Sequence, residues 1–75
     1  MKTAHLSRAQ HRVLTNLVTD GPDNAEIAAR LHITEGTVRS HMTALRRAFG
    51  VPTKAAIVAA YYRGDVDVCV IGEEW

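Results

Sequence analysis

The chain has 75 residues, one cysteine and a net charge of +1, with hydrophobic residues at 47% but aromatic ones at only 5%. That describes one small domain, whose core comes from Ala, Val and Leu on closely packed short helices. A single cysteine excludes an intrachain disulfide and fits a reducing cytoplasm, and no apolar run approaches a membrane span or opens the chain as a signal peptide.

The predicted elements follow in chain order. Ser7 is an N-cap for a helix over about 8–19, in which Val13, Leu14, Leu17 and Val18 make an apolar stripe. Asp20-Gly21-Pro22 stops it, because Gly suits the position after a helix and Pro cannot continue one. Asp23 or Asn24 caps a second helix over about 25–31, with Ile27, Ala28 and Leu31 inward. After His32-Ile33, Thr34 is another N-cap and opens a long helix to about Phe49, whose inward face is Val38, Met42, Leu45 and Phe49. Gly50 ends it, Val51-Pro52 links, and Thr53 caps a fourth helix over about 54–63, closed by Gly64. The segment after it alternates Val66, Val68 and Val70 with Asp67 and Cys69, a strand pattern for which no partner is evident. The expected organisation is therefore all-α: a four-helix domain over 1–64 and a short, extended acidic C-terminal tail over 65–75.

Charge is distributed unevenly along these elements. All nine cations lie at or before Arg63, and only Asp20, Asp23, Glu26 and Glu35 share that stretch, so nine against four leaves it +5. Asp65, Asp67, Glu73 and Glu74 follow. A basic body with an acidic tail suits a polyanionic partner.

Two helices joined by about three residues, the second longer and polar on its outer side, make a helix-turn-helix. The recognition helix, about 34–49, fits the major groove of duplex DNA. Off its apolar face stand Glu35, Gly36, Arg39, Ser40, Thr43, Arg46 and Arg47. Gly36 keeps the helix start slim. The planar fork of Arg39 matches the two acceptors of guanine, and Ser40 and Thr43 are able to bond base edges. Arg46 and Arg47 lie further along, where phosphates pass. Glu35 is assigned with the base-facing residues and Lys54 with the backbone-facing ones. On the fourth helix Ala56, Ile57, Ala60 and Tyr61 form a stripe that packs on the body. Ala55, Val58, Ala59 and Tyr62 form a second apolar stripe, which predicts homodimerisation about a two-fold axis.

The run Asn24 to His41, N-A-E-I-A-A-R-L-H-I-T-E-G-T-V-R-S-H, resembles the LuxR/GerE-type DNA-binding domain, whose pattern is roughly N-x-E-I-A-x-x-L-x-I-S-x-x-T-V-K/R-x-H. Leu6-Ser7-Arg8 and Val13-Leu14 are similar to its opening helix, and Phe49-Gly50-Val51 and the Ala-rich fourth helix to its close, so the likeness covers about residues 5–66. The resemblance implies a transcriptional regulator, here as a stand-alone member. It implies base reading by Arg39 with Ser40 and Thr43, backbone contacts from Thr37, His41 and Asn24, a structural role for Glu26, and the same dimer interface. The chain departs from the family at Ala9-Gln10-His11, where charged residues are usual, and at Thr43, often basic elsewhere.

A second reading keeps the fold as a protein-interaction module that binds another regulator or RNA polymerase through the acidic tail, as a sigma-region-like piece does. Enzyme chemistry is not expected: there is no nucleophile elbow and no phosphate-cradling glycine loop. His5, His11, His32 and His41 have no pair at ligand spacing, so neither a metal nor another cofactor is expected. The acidic tail is expected to be dispensable for DNA binding.

Overall fold

Each helix begins at a side-chain cap, and the caps decide where the chain breaks. The computed structural model describes residues 2–71, with the order β1 Lys2–Leu6, α1 Arg8–Asp20, α2 Asn24–Leu31, α3 Glu35–Phe49, α4 Lys54–Arg63 and β2 Val66–Val70. Ser7 Oγ accepts from the Gln10 N–H at 3.1 Å, while the Ser7 N–H donates to Gln10 Oε1 at 3.0 Å, a reciprocal capping box. Asp23, rather than Asn24, caps α2 by accepting from the Glu26 N–H at 2.9 Å. Thr34 and Thr53 accept from Thr37 and Ala56, each at 3.1 Å. Such caps are worth about 1 kcal/mol apiece. Thr34 is the cap its position predicts, and α3 runs from Glu35.

The chain leaves three of the four helices through a glycine in the left-handed region, and leaves α2 through His32 at φ 58°. The His32 and Ile33 N–H groups close that end onto Ala29 and Ala28 carbonyls, at 3.4 and 3.0 Å. His32-Ile33-Thr34 is the tight turn that sets α2 against α3. Within α2, Arg30 donates to Glu26 at 2.8 Å one turn away, so Glu26 serves both the first turn and an ion pair.

α3 is the central element, packed on α1, α2, α4 and β1. Leu6, Val13, Leu14, Ile27, Val38, Leu45 and Ile57 are fully enclosed, and Leu17, Met42 and Phe49 nearly so. No polar or charged residue is buried among the described residues. None of the described helices is long and apolar enough to cross a membrane.

The segment after Gly64 is extended, as its alternation predicts, and the structure supplies its partner. β2 runs parallel to β1, in register from Lys2 against Val66 to Leu6 against Val70. Ala4, Leu6 and Val66 are buried and Val68 is half-buried, so this face of the sheet belongs to the same core as the helices. An all-helical reading of 1–64 omits β1: its five residues look like a lead-in to the Ser7 cap. Residues 66–70 are thus joined to the body rather than trailing from it. Glu73 and Glu74 lie outside the described residues. Lys2 passes close over Gly50, where a Cβ would stand 2.9 Å from its Nζ, and Gly50 also needs φ 71° to end α3.

Candidate nucleic-acid interface

The faces of α3 follow from its buried residues. Val38, Met42, Leu45 and Phe49 fix the inward direction. Since each residue turns the helix by about 100°, Gly36, Ser40, Thr43 and Arg47 form the ridge diametrically opposite. Gly36, Ser40 and Arg47 are exposed and Thr43 is half-buried, its hydroxyl donating to the Arg39 carbonyl at 3.2 Å. At Gly36 an added Cβ would meet nothing nearer than 3.9 Å, the nearest atoms belonging to Arg39 and Thr34. The ridge therefore narrows at its N-terminal end for want of a side chain, not because the protein crowds it there.

One shoulder of the ridge carries cations. Asn24, Arg39, Met42, Thr43, Arg46 and Lys54 line a cleft of about 300 Å³ with no carboxylate among them. α2, α3 and α4 each contribute: Lys54, on the first turn of α4, donates to Asn24 Oδ1, on the first turn of α2, at 3.3 Å. Arg46 is steered by a contact of 3.4 Å to the Thr43 hydroxyl. The shallow groove continues past Arg47 to Gly50, Val51 and Pro52. Glu35 is exposed in the first turn of α3, where an acid complements the helix dipole, and does not line this cleft.

The other shoulder is more apolar. Thr37 and His41 face a groove of about 140 Å³ completed by Ala9, Arg12, Leu31 and Ile33. Partial burial removes water from the His41 ring and holds its pKa below the usual histidine value. The Thr37 hydroxyl lies 2.9 Å from that of Thr34. Arg12 is absent from the sequence reading. It is exposed on α1 and reaches the α3 edge only through tertiary packing, so no local motif marks it.

The fourth-helix stripe divides. Ala55 and Ala59 are exposed, whereas Val58 is half-buried against the core. Tyr62 is 65% exposed, yet its hydroxyl donates to the Val18 carbonyl at the end of α1. The inner stripe holds at Ile57 and Ala60, both buried, but Tyr61 is 40% exposed and stands edge-on to Tyr62 with centroids 5.6 Å apart. Tyr61 is therefore a surface ring and not the core residue its spacing suggests. Among the described residues no group of three or more His, Cys, Asp or Glu side chains gathers to hold a metal ion.

Residues 4–60, most of the chain, match the family described as bacterial regulatory proteins, luxR family (GerE). No curated protein and no solved structure gives a match.

Proposed function

The chain belongs to the luxR family of bacterial regulatory proteins, and from that premise we propose a sequence-specific regulator that lays α3 in the major groove of duplex DNA. The observation that carries the reading is the outer form of α3: a slim polar ridge with a three-cation cleft along one side. A duplex groove offers base edges at its floor and phosphates at both walls, which is the order of groups across this surface. Arg39, Ser40 and Thr43 face bases, with Glu35 at the entrance. Arg46 and Lys54 meet phosphates on the cationic side and Arg47 meets them at the far end of the ridge, with Asn24 held in place by Lys54. Thr37 and His41 meet the opposite strand, and Arg12 joins them.

In this reading two copies pair through α4. Ala55, Ala59 and the ring of Tyr62 form the contact surface, with Val58 beneath it. Two recognition helices related by that axis read half-sites about one helical turn, roughly 34 Å, apart. Ala59→Glu places a charge on the exposed part of the stripe and spares the core. It should abolish cooperative binding to a two-half-site duplex while leaving single-site binding unchanged; undiminished cooperativity would remove α4 as the interface.

Selection of bound sequences from a random duplex pool tests the main reading. The parent should enrich one motif. Arg39→Ala should relax one position of it and weaken the preferred site by about 1–3 kcal/mol. If no motif is enriched, groove reading fails and the interaction-module reading takes its place.

A further inference from the structure

The small sheet ends on an open strand. β2 has β1 on one side and, among the described residues, no hydrogen-bonded strand on the other. One bond identifies the groups left over: the Ile71 N–H donates to the Leu6 carbonyl at 2.8 Å. Along a strand the N–H and C=O of one residue point to one side and those of the next to the other. With Ile71 directed at β1, Cys69 and Asp67 are directed there too, and Val66, Val68 and Val70 aim their backbone groups at the open edge. The usual guards of such an edge, a lysine or a proline, are missing from Val66–Val70, where Asp67 is the one charge. Val70 and Ile71, at the end of that edge, are 43% and 51% exposed.

We propose that this edge pairs antiparallel with the same edge of a second copy, centred on Val68, to give a four-stranded sheet in the order β1-β2-β2-β1. The occupant follows from the strand's own symmetry. Centred on Val68, Val66 faces the partner subunit's Val70, and every outward N–H meets an outward C=O. Asp67 then faces the partner subunit's Cys69, so no charge opposes its like. Centring on Asp67 would set two carboxylates against each other, and centring on Cys69 would leave Val66 out of the ladder. The valine side chains of both copies fall on one face, so the exposed Val70 gains an apolar neighbour. β2 lies beyond the residues that match the family and apart from the α4 stripe, so this surface is independent of the pairing on DNA.

Disulfide trapping tests the register. Asp67→Cys places a thiol opposite the partner subunit's Cys69, in a non-hydrogen-bonded pair whose Cα atoms are about 4.5 Å apart, within disulfide reach. The experiment is run on the full chain with Ala59→Glu included, which removes pairing through α4. Under mild oxidation, covalent dimer on a non-reducing gel should form on the order of ten times faster than for Thr15→Cys on the exposed side of α1, because pairing raises the effective thiol concentration. Adding Val68→Pro removes an edge N–H without touching the β1 ladder and should return the rate to that of the control. Val70→Lys, at an exposed position, should do the same if the proline variant fails to melt cooperatively. Equal rates for Asp67→Cys and Thr15→Cys would overturn the proposal and leave the edge to an extended segment of another protein. Trapping that persists in the edge variants would overturn the register.

Discussion

Affinity for DNA should fall steeply with salt, and the structure sets how steeply. Arg46, Arg47 and Lys54, with Arg12 on the opposite shoulder, are the cations assigned to phosphates on the proposed face. If each neutralises one phosphate, the slope of log K against log salt is about −0.9 for each, or about −3.6 per copy. Raising salt from about 50 to about 200 mM then weakens binding about 150-fold for one copy. A dimer bound to two half-sites should approach a slope of about −7. The assay is fluorescence anisotropy of a short labelled duplex over a range of salt, with a preferred and an unrelated sequence. Arg47→Gln should make the slope shallower by about 0.9 on both sequences, because a phosphate contact carries no sequence information. Arg12→Gln should do likewise if the α1 edge touches the opposite strand. A slope shallower than about −1, or one that Arg47→Gln leaves unchanged, would refute the placement of DNA on this face.

Three further outcomes follow from individual residues. Gly36→Ala meets open space and gains helix propensity, so it should raise folding stability by up to about 0.5–1 kcal/mol while weakening DNA binding, if the ridge enters the groove there; melting and anisotropy on one preparation separate the two effects, and unchanged binding would move DNA away from the α3 start. His32→Gly relieves a left-handed histidine and should stabilise by about 0.5–1 kcal/mol by calorimetry, with DNA binding unaffected. His41 favours its neutral form in the fold, so the unfolded chain binds a proton first as pH falls: the stability it contributes is full above the usual histidine range and declines through that range toward the lowered folded value. Tm measured against pH should show this acid-side loss in the parent and a smaller one in His41→Gln; identical profiles would contradict the assignment.

The helices were readable in the sequence because each is bounded by local chemistry. Ser7, Asp23, Thr34 and Thr53 mark their starts, Gly21, Gly50 and Gly64 three of their ends, and spacing near 3.6 marks the buried faces. The strands divide along the same line. β2 announces itself by alternation, whereas Lys2–Leu6 has only Ala4 and Leu6 turned inward, and its partner lies at the far end of the chain. Parallel pairing over such a separation leaves no local mark. The ridge residues of α3 could be placed by counting from its buried face. The way Asn24, Arg39, Arg46 and Lys54 converge on one cleft, and the nearness of Arg12 to His41, depend on how separate helices cross. Spacing alone misassigned Tyr61 because a ten-residue helix with four Ala, and a ring at each of two adjacent positions, presents no single dominant face.

The pairing of β1 with β2 also bears on the order of folding. During synthesis Lys2–Leu6 is made before the four helices, yet its partner is completed only after all of them. The contacts among successive helices span short stretches and form early, while closing the sheet requires a loop of nearly the whole chain. Until then Leu6 lacks its strand partner, Val70. Lys2–Leu6 thus precedes the helices in the chain yet is the last of the described elements to reach its final structure.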